Sequence, residues 1–443
     1  MANLGWHYLT ADDKSSILRG VRDRAVYGGP YHAEIHPADR CNIDCFFCST
    51  AAIRGTDELH LNRLISLFAE LRAAGTRSIR FAGGGEPLFH RKFKDVLRAV
   101  IAEGLPVENV TTNAVLLGDE VGDLLINCCD EITVSLNTAD SESYSRMMRT
   151  SARNFDRVLS NVDGLLRKRN AVRSRRPHVS LQFLVWRENY RSIPQMYDLG
   201  RRLGVDSIFF NGLSFLRDEQ LMNDAETSEM LRLYEEIARR DEFRRVTNIA
   251  SFERDIAGDI NSMIKRLSAE RESKGLLSKA FRFLWRDDFS LAEKIRHHRK
   301  FRRGAIGSET TELLDELCVI GWYSMVIRSD GTVAPCCILQ HKNLGNVGHS
   351  SVAEIWNSPD YDKFRVELSN IIASPNRWLP SQDDRTVEAG CGLRGTNLCP
   401  MKTFYFRTDA GFVRSLSDVV RARSAVSAAA SDTASPDYSR ATR

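Results

Sequence analysis

The sequence predicts an α/β fold over its first half, and two observations carry that expectation. From Tyr31 to Phe210, short β-branched or apolar runs alternate with longer stretches whose apolar residues recur at helical spacing. Turn residues separate the two kinds of segment. The strands expected are Tyr31 to Ile35, Ser78 to Ala82, Asn109 to Thr112, Glu131 to Leu136, His178 to Val185 and Ser207 to Phe210. Between the first two, Leu61, Leu64, Ile65, Phe68 and Leu71 define one apolar helical stripe. Between the last two, "NYRSIPQMYDLGRRLGVD" predicts a helix that stops near Gly204, a residue able to take the left-handed cap. Six parallel strands with intervening helices suit an incomplete barrel or a doubly wound sheet. Both gather ligand chemistry at the carboxyl ends of the strands.

Beyond Asn211 the pattern becomes helical and rich in charge, over about residues 213–310. Ile256, Ile260, Met263, Ile264 and Leu267 mark one helix face there, and the basic run Arg296 to Arg303 is read as a solvated helix end rather than a phosphate contact. From Cys318 two β-prone runs meet at Asp330-Gly331, a dipeptide suited to a hairpin because both residues tolerate positive φ. Ser351 and Glu354 have capping-box spacing before a short helix. Residues 423–443 are small and polar and are predicted to be disordered. The expected organisation is a helical extension over 1–30, the strand-and-helix unit over 31–212, the charged region over 213–310, a small α+β segment over 311–422 and the tail.

A chain of 443 residues has room for two or three domains. Lys and Arg number 62 against 58 Asp and Glu, so the net charge of +4 gives no electrostatic reason to expect nucleic acid. The N-terminus lacks the apolar run of a signal peptide and no segment is long and apolar enough for a membrane span, so the expectation is a cytoplasmic protein without membrane contact. In a reducing compartment, ten cysteines point to metal ligands or small buried apolar residues before disulfides.

Three of them lie together in "CNIDCFFC", as Cys41, Cys45 and Cys48. A structural zinc site closes with four ligands, so a fourth would have to come from elsewhere; His90 is a nominal candidate that nothing pairs with them. The alternative is a [4Fe–4S] cluster with one iron left open for a substrate or cofactor. The motif follows the first strand, at the end where such a site belongs.

Cys41-x3-Cys45-x2-Cys48, with Phe47 before its last cysteine, resembles the cluster motif of the radical S-adenosylmethionine (SAM) enzymes. The resemblance continues through "GGGEP" (Gly83 to Pro87) after the second strand, "TTNAVLL" after the third, where Ala114 replaces the usual glycine, and "VSLN" at the end of the fourth. It implies a partial (β/α)6 TIM-like barrel. It also implies that Gly84, Gly85 and Glu86 lie near the SAM amino group, that Thr112 and Asn113 line the same site, and that Ser135 and Asn137 bond its ribose or carboxylate. SAM would chelate the open iron, and its reductive cleavage would give a 5′-deoxyadenosyl radical that takes a hydrogen atom from an unactivated carbon. A flavodoxin or ferredoxin is the reductant the resemblance implies.

Cys318-x12-Gly331-x4-Cys336, with "LGNV" and "EIWNS" downstream, resembles the SPASM or shortened twitch extension of some radical SAM enzymes. Five cysteines lie in this part of the chain, which implies one auxiliary [4Fe–4S] cluster held by Cys318, Cys336, Cys391 and Cys399, with a four-thiolate zinc site as the alternative. Cys337 is then a spare ligand, a packed thiol or a hydrogen-atom donor to a substrate radical. Cys128 and Cys129 are read as core residues. An auxiliary cluster suits oxidation, epimerisation or elimination on a small metabolite such as a sugar or aminoglycoside-like compound. Modification of a ribosomal peptide is the second expectation. Against it, 40 residues precede Cys41, too few for a fused leader-recognition domain. A non-enzymatic iron–sulfur or zinc protein is the third.

Overall fold

The structure is a computed structural model and describes residues 5–212 apart from 49, 52 and 53, residues 222–240, residues 318–373 apart from 338 and 341, and scattered positions between 409 and 422. Chain order gives α1 (Ala11–Asp23), β1 (His32–Ile35), α2 (Leu61–Ala73), β2 (Ser78–Phe81), α3 (Phe93–Glu103), β3 (Val107–Thr112), α4 (Asp119–Cys128) and β4 (Cys129–Ser135). Then come α5 (Ser141–Met148), α6 (Arg153–Ala171), β5 (His178–Val185), α7 (Ile193–Leu203), β6 (Ser207–Gly212) and α8 (Asp224–Ala238). The C-terminal part adds β7 (Ser324–Ile327), β8 (Val333–Ala334), α9 (Val352–Trp356) and α10 (Pro359–Ala373). The six expected strands are all present, within two residues at each end.

Strands β1 to β6 pair in parallel with their sequence neighbours, each return made through a helix, as short parallel connections require. Side chains alternate between two faces. On β4, Ile132 and Val134 are fully buried against the helices, whereas Glu131, Thr133 and Ser135 are half-buried on the other face. The outward-facing apolar residues meet the amphipathic helices: Phe81 lies edge-on to Phe68 of α2 and Phe93 of α3. On α2 the buried stripe is Leu64, Leu67, Phe68 and Leu71. Ile65 is a correction to the sequence expectation: it is 43% exposed, because one residue past Leu64 is about 100° around the helix and off the core face. Helix α7 ends at Gly204 with φ of 71°, the left-handed cap its sequence predicts.

The C-terminal part does not stand apart as a separate sheet. Strand β7 pairs in parallel with β1, from His32 opposite Ser324 to Ile35 opposite Ile327, so the sheet has eight strands in the order β6-β5-β4-β3-β2-β1-β7-β8. The Asp330-Gly331 turn joins β7 to antiparallel β8, with Gly331 at φ of 83°. The capping box of Ser351 and Glu354 opens α9. Arg365 of α10 is fully buried. It donates to the carbonyls of Gly321 (2.8 Å) and Trp356 (2.7 Å) and to Asp362 (2.9 Å), and lies 4.6 and 4.7 Å from the rings of Trp356 and Tyr361. Arg63 and Glu70 of α2 reach the Val347 carbonyl and the Val352 amide. These bonds fasten α9 and its approach to the barrel helices.

Trp6 fits between Tyr323 and Phe412, while Gly5 sits close to His32 and Ser78. The N-terminal segment thereby covers the amino ends of β1 and β2. Among the described residues no helix is long and apolar enough to cross a membrane. The helix face expected over Ile256 to Leu267, the basic run and the tail lie outside the described residues, as do Cys391 and Cys399.

Candidate active site

The loop from Cys41 to Cys48 lies just beyond the carboxyl end of β1 and rests on the last turn of α5. The Met147 and Met148 carbonyls, free of helical partners at a C-terminus, accept from the amides of Phe46 and Asp44 (both 3.2 Å). Phe46 packs on Trp186, which follows β5, at 4.9 Å between ring centres. The three thiols are free and half-buried. Cys45 Sγ is 3.6 Å from Met148 Sδ, and Cys48 Sγ is 3.2 Å from the Thr50 hydroxyl, which donates to the Gly84 carbonyl (2.8 Å).

The glycine-rich segment after β2 lies directly against the backbone that leads into this loop. Gly85 donates to the Ala38 carbonyl (3.2 Å) and Glu86 to the Arg40 carbonyl (3.0 Å). A Cβ on Gly85 would stand 2.2 Å from the Arg40 oxygen and 2.3 Å from the Asp39 oxygen, so this position requires glycine. A Cβ on Gly84 would meet the Asp39 carboxylate at 2.5 Å. The close approach seen here is made to the chain's own backbone.

Glu86 is buried, with its carboxylate turned toward β3. It accepts from the Leu88 amide (3.1 Å), the Thr112 hydroxyl (2.5 Å) and the Asn113 amide (2.7 Å). Burial pushes its carboxyl up to about 7, against the pull of those donors. Asn113 in turn donates from Nδ2 to Asn42 Oδ1 (2.8 Å) and lies 3.7 Å from Cys41 Sγ. Glu86, Thr112 and Asn113 thus join the loops after β1, β2 and β3. Ala114, where the resemblance leads one to expect glycine, takes φ of 57°.

Ser135 and Asn137 sit where β4 ends. Ser135 Oγ bonds Gln182 Oε1 of β5 (3.3 Å). Asn137 is buried at φ of 61° and stitches β4 to β5: its amide donates to the Gln182 carbonyl (2.9 Å) and its Oδ1 accepts from Leu184 (3.1 Å). His90 bonds the Leu59 carbonyl (2.8 Å) and the Lys92 amide (3.1 Å), away from the cysteines. Cys128 ends α4 and Cys129, fully buried, opens β4. Thr50, Asn42 and Met148 join the site although no motif marks them.

Beneath the loops, the inward face of the sheet is polar. Glu34 Oε1 bonds His36 Nε2 (2.8 Å), and Arg80 donates to Thr111 (3.0 Å), Thr111 to Asn109 (2.9 Å), and Asn109 to Thr133 (2.9 Å). Burial works to raise the Glu34 carboxyl, but Arg80 and His36 together hold it at about 2. Cys337 is half-buried near enough to Arg80 to act on its charge, whereas Cys336 is buried in the apolar core. Cys318 is half-buried just before the turn that leads to β7.

The donor set at Cys41, Cys45 and Cys48 fits an iron–sulfur cluster. Burial, then the nearby Cys41 and Cys48 sulfurs, push the Cys45 thiol up to about 12, so a thiolate here needs a compensating positive charge. Among the described residues no three His, Cys, Asp or Glu side chains are arranged as ligands of a single ion. A cluster shares its thiolates among several irons.

Comparison with known proteins agrees. Residues 35–200 match the radical SAM superfamily model, and residues 318–377 match SPASM, an iron–sulfur cluster-binding domain. A probable GTP 3',8-cyclase of Saccharolobus solfataricus is 29% identical over 169 residues, which are 38% of this chain and 52% of that protein. The chain spans about half the length of the curated relatives it matches. Streptococcus suis SuiB bound to precursor peptide SuiA superposes with a TM-score of 0.53 at 16% identity, covering 79% of this chain and 70% of that one. Native anSMEcpe with bound AdoMet and Cp18Cys peptide gives 0.50 at 14% identity, covering 91% and 100%. At such identities the likeness speaks for the fold alone. The barrel, over residues 35–200, thus belongs to the radical SAM superfamily, and residues 318–377 are a SPASM iron–sulfur cluster-binding domain.

Proposed function

We infer that this chain uses SAM bound above the barrel to abstract a hydrogen atom from a small polar metabolite held in the lumen. The observation that carries this is the bonding of the loop that bears three free thiols to the Glu86–Thr112–Asn113 bridge at the carboxyl ends of the first three strands. Cys41, Cys45 and Cys48 would hold the [4Fe–4S] cluster, and the bound pair supplies a 5′-deoxyadenosyl radical. Gly84, Gly85, Glu86, Thr112 and Asn113 shape the floor on which SAM lies. Glu86 acts by fixing Thr112 and Asn113, since its oxygens already accept three hydrogen bonds. Ser135, half-buried beside Gln182, supplies a hydroxyl at the rim, and Asn137 holds that edge of the site together.

The polar inner face of the sheet supports a hydrophilic substrate such as a sugar or aminoglycoside-like compound, whose hydroxyls Thr111, Thr133 and Gln182 can match. Cys318 and Cys336, with Cys391 and Cys399, would hold one auxiliary [4Fe–4S] cluster, and a flavodoxin or ferredoxin would deliver electrons. Cys337, on the Arg80 side, is the thiol we assign to the lumen, as a hydrogen-atom donor or a spare ligand. Peptide modification is the second reading, supported by the peptide-bound proteins whose fold this chain shares.

Anaerobic reconstitution tests the proposal. Iron and sulfide should count to two clusters in the wild type and one after Cys41, Cys45 and Cys48 are all replaced by Ala, with 5′-deoxyadenosine formed by the wild type alone. Zinc without iron, or SAM left intact on reduction, would overturn it. A precursor-peptide gene beside this one would favour the second reading, sugar-modifying genes the first.

A further inference from the structure

We propose that Arg80 anchors an anionic group of the substrate, a carboxylate or a phosphate, in the barrel lumen below the SAM floor. The inference rests on the lumen being the substrate chamber. On β2, Ile79 and Phe81 are fully buried toward the helices, and Arg80 points the other way. The sheet register sets it in one row with Glu34 of β1, Asn109 of β3 and Glu131 of β4.

A guanidinium carries five N–H donors, and in a protein interior each normally finds an acceptor. Among the described residues Arg80 makes one hydrogen bond, from Nη2 to Thr111 Oγ1 at 3.0 Å. The Glu34 carboxylate forms an ion pair with Nη1 at 3.8 Å, too long for a hydrogen bond, and its Oε1 is taken by His36 at 2.8 Å. Arg80 Nε is buried with no acceptor, and so is the other ring nitrogen of His36. The side chain is still 20% exposed, so it is not sealed off. Its orientation is fixed by a relay, Thr111 donating to Asn109 and Asn109 to Thr133. A held guanidinium with most donors unused is the arrangement that takes a carboxylate or phosphate through paired hydrogen bonds. The three acids around it leave those donors open: Glu34 pairs with its charge at 3.8 Å without a hydrogen bond, and neither the Glu108 carboxylate nor that of Glu131, two strands away, bonds it among the described residues.

Isothermal titration of the reconstituted holoenzyme at constant ionic strength tests this, with inorganic phosphate and acetate as probes. The wild type should bind one of them saturably, Arg80→Lys at least tenfold more weakly, and Arg80→Met not measurably, while SAM affinity stays within twofold throughout. Tighter phosphate binding points to a phosphorylated substrate and tighter acetate binding to a carboxylate-bearing one; either supports the proposal. If Arg80→Met does not fold, the wild type and Arg80→Lys decide. Absence of saturable binding to the wild type, binding unchanged in Arg80→Lys, or a parallel loss of SAM affinity, which would assign Arg80 to SAM's own carboxylate, would overturn it. Missing iron or uncleaved SAM would instead refute the proposed function, and the anion titration stays readable in that case.

Discussion

Replacing Glu86 with alanine should weaken the fold and empty the cluster site together. The substitution strands the buried amides of Leu88 and Asn113 and the hydroxyl of Thr112, which the carboxylate now accepts at 3.1, 2.7 and 2.5 Å. The hydroxyl can rotate to another acceptor, but the two amides cannot. Leaving a buried donor unsatisfied costs about 1–3 kcal/mol, so the two amides together set a loss of about 4 kcal/mol. That is a large part of the roughly 5–15 kcal/mol by which a domain is stable. Asn113, no longer held, would also loosen its bond to Asn42 and its contact with Cys41. Glu86→Gln keeps one acceptor oxygen and turns an amide donor toward another donor, so about half the loss is expected. Urea unfolding of the anaerobic protein, with iron counted on the same samples, measures both effects. An alanine variant with the wild-type midpoint and full iron content would refute this account of the bridge.

Gly85→Ala should cost more stability and iron than Gly84→Ala, because the first methyl strikes backbone oxygens at 2.2 and 2.3 Å and the second a movable Asp39 side chain; paired thermal melts and iron counts read the order. Burial pushes Glu108 up to about 7, above its unfolded reference of 4.5. The folded state therefore keeps a proton that the unfolded chain releases, and this contribution to stability falls as pH rises between those values. The wild type should gain about 3 kcal/mol over Glu108→Gln on going from pH 8 to below pH 4.5, with most of the gain present by pH 5, as measured by urea unfolding at each pH. Arg365→Ala removes a buried cation, two rings' stacking partner and the donor to two carbonyls, at a cost of about 3–5 kcal/mol; Arg365→Lys should recover only part, and melts of both variants check this.

Much of the barrel was legible because its signals are local. The His178–Val185 strand, the Gly204 cap, the Asp330-Gly331 turn and the Ser351–Glu354 box each depend on a few adjacent residues. The cysteine motif was equally plain. The pairing of β7 with β1 was not, because it joins His32–Ile35 to Ser324–Ile327 across a long stretch of chain, and no periodicity within either strand names its partner. The part played by Glu86 was also hidden: sequence offers a carboxylate, but only the fold shows its oxygens spent on Thr112, Asn113 and Leu88. Thr50 and Met148 carry no motif, since their place depends on where the loop after β1 settles. Arg80 carries no motif either, and only the register sets it facing inward.

The parallel pairing of β1 with β7 has a thermodynamic consequence. Losing β7 would strip one side of β1, the strand that leads straight into the cysteine loop, of its backbone hydrogen bonds. The two ends of the chain therefore share a single cooperative unit, and destabilising the SPASM part, at Arg365 for instance, should loosen the grip on iron at Cys41, Cys45 and Cys48. A boundary drawn along the sequence after β6 divides the polypeptide but not its stability.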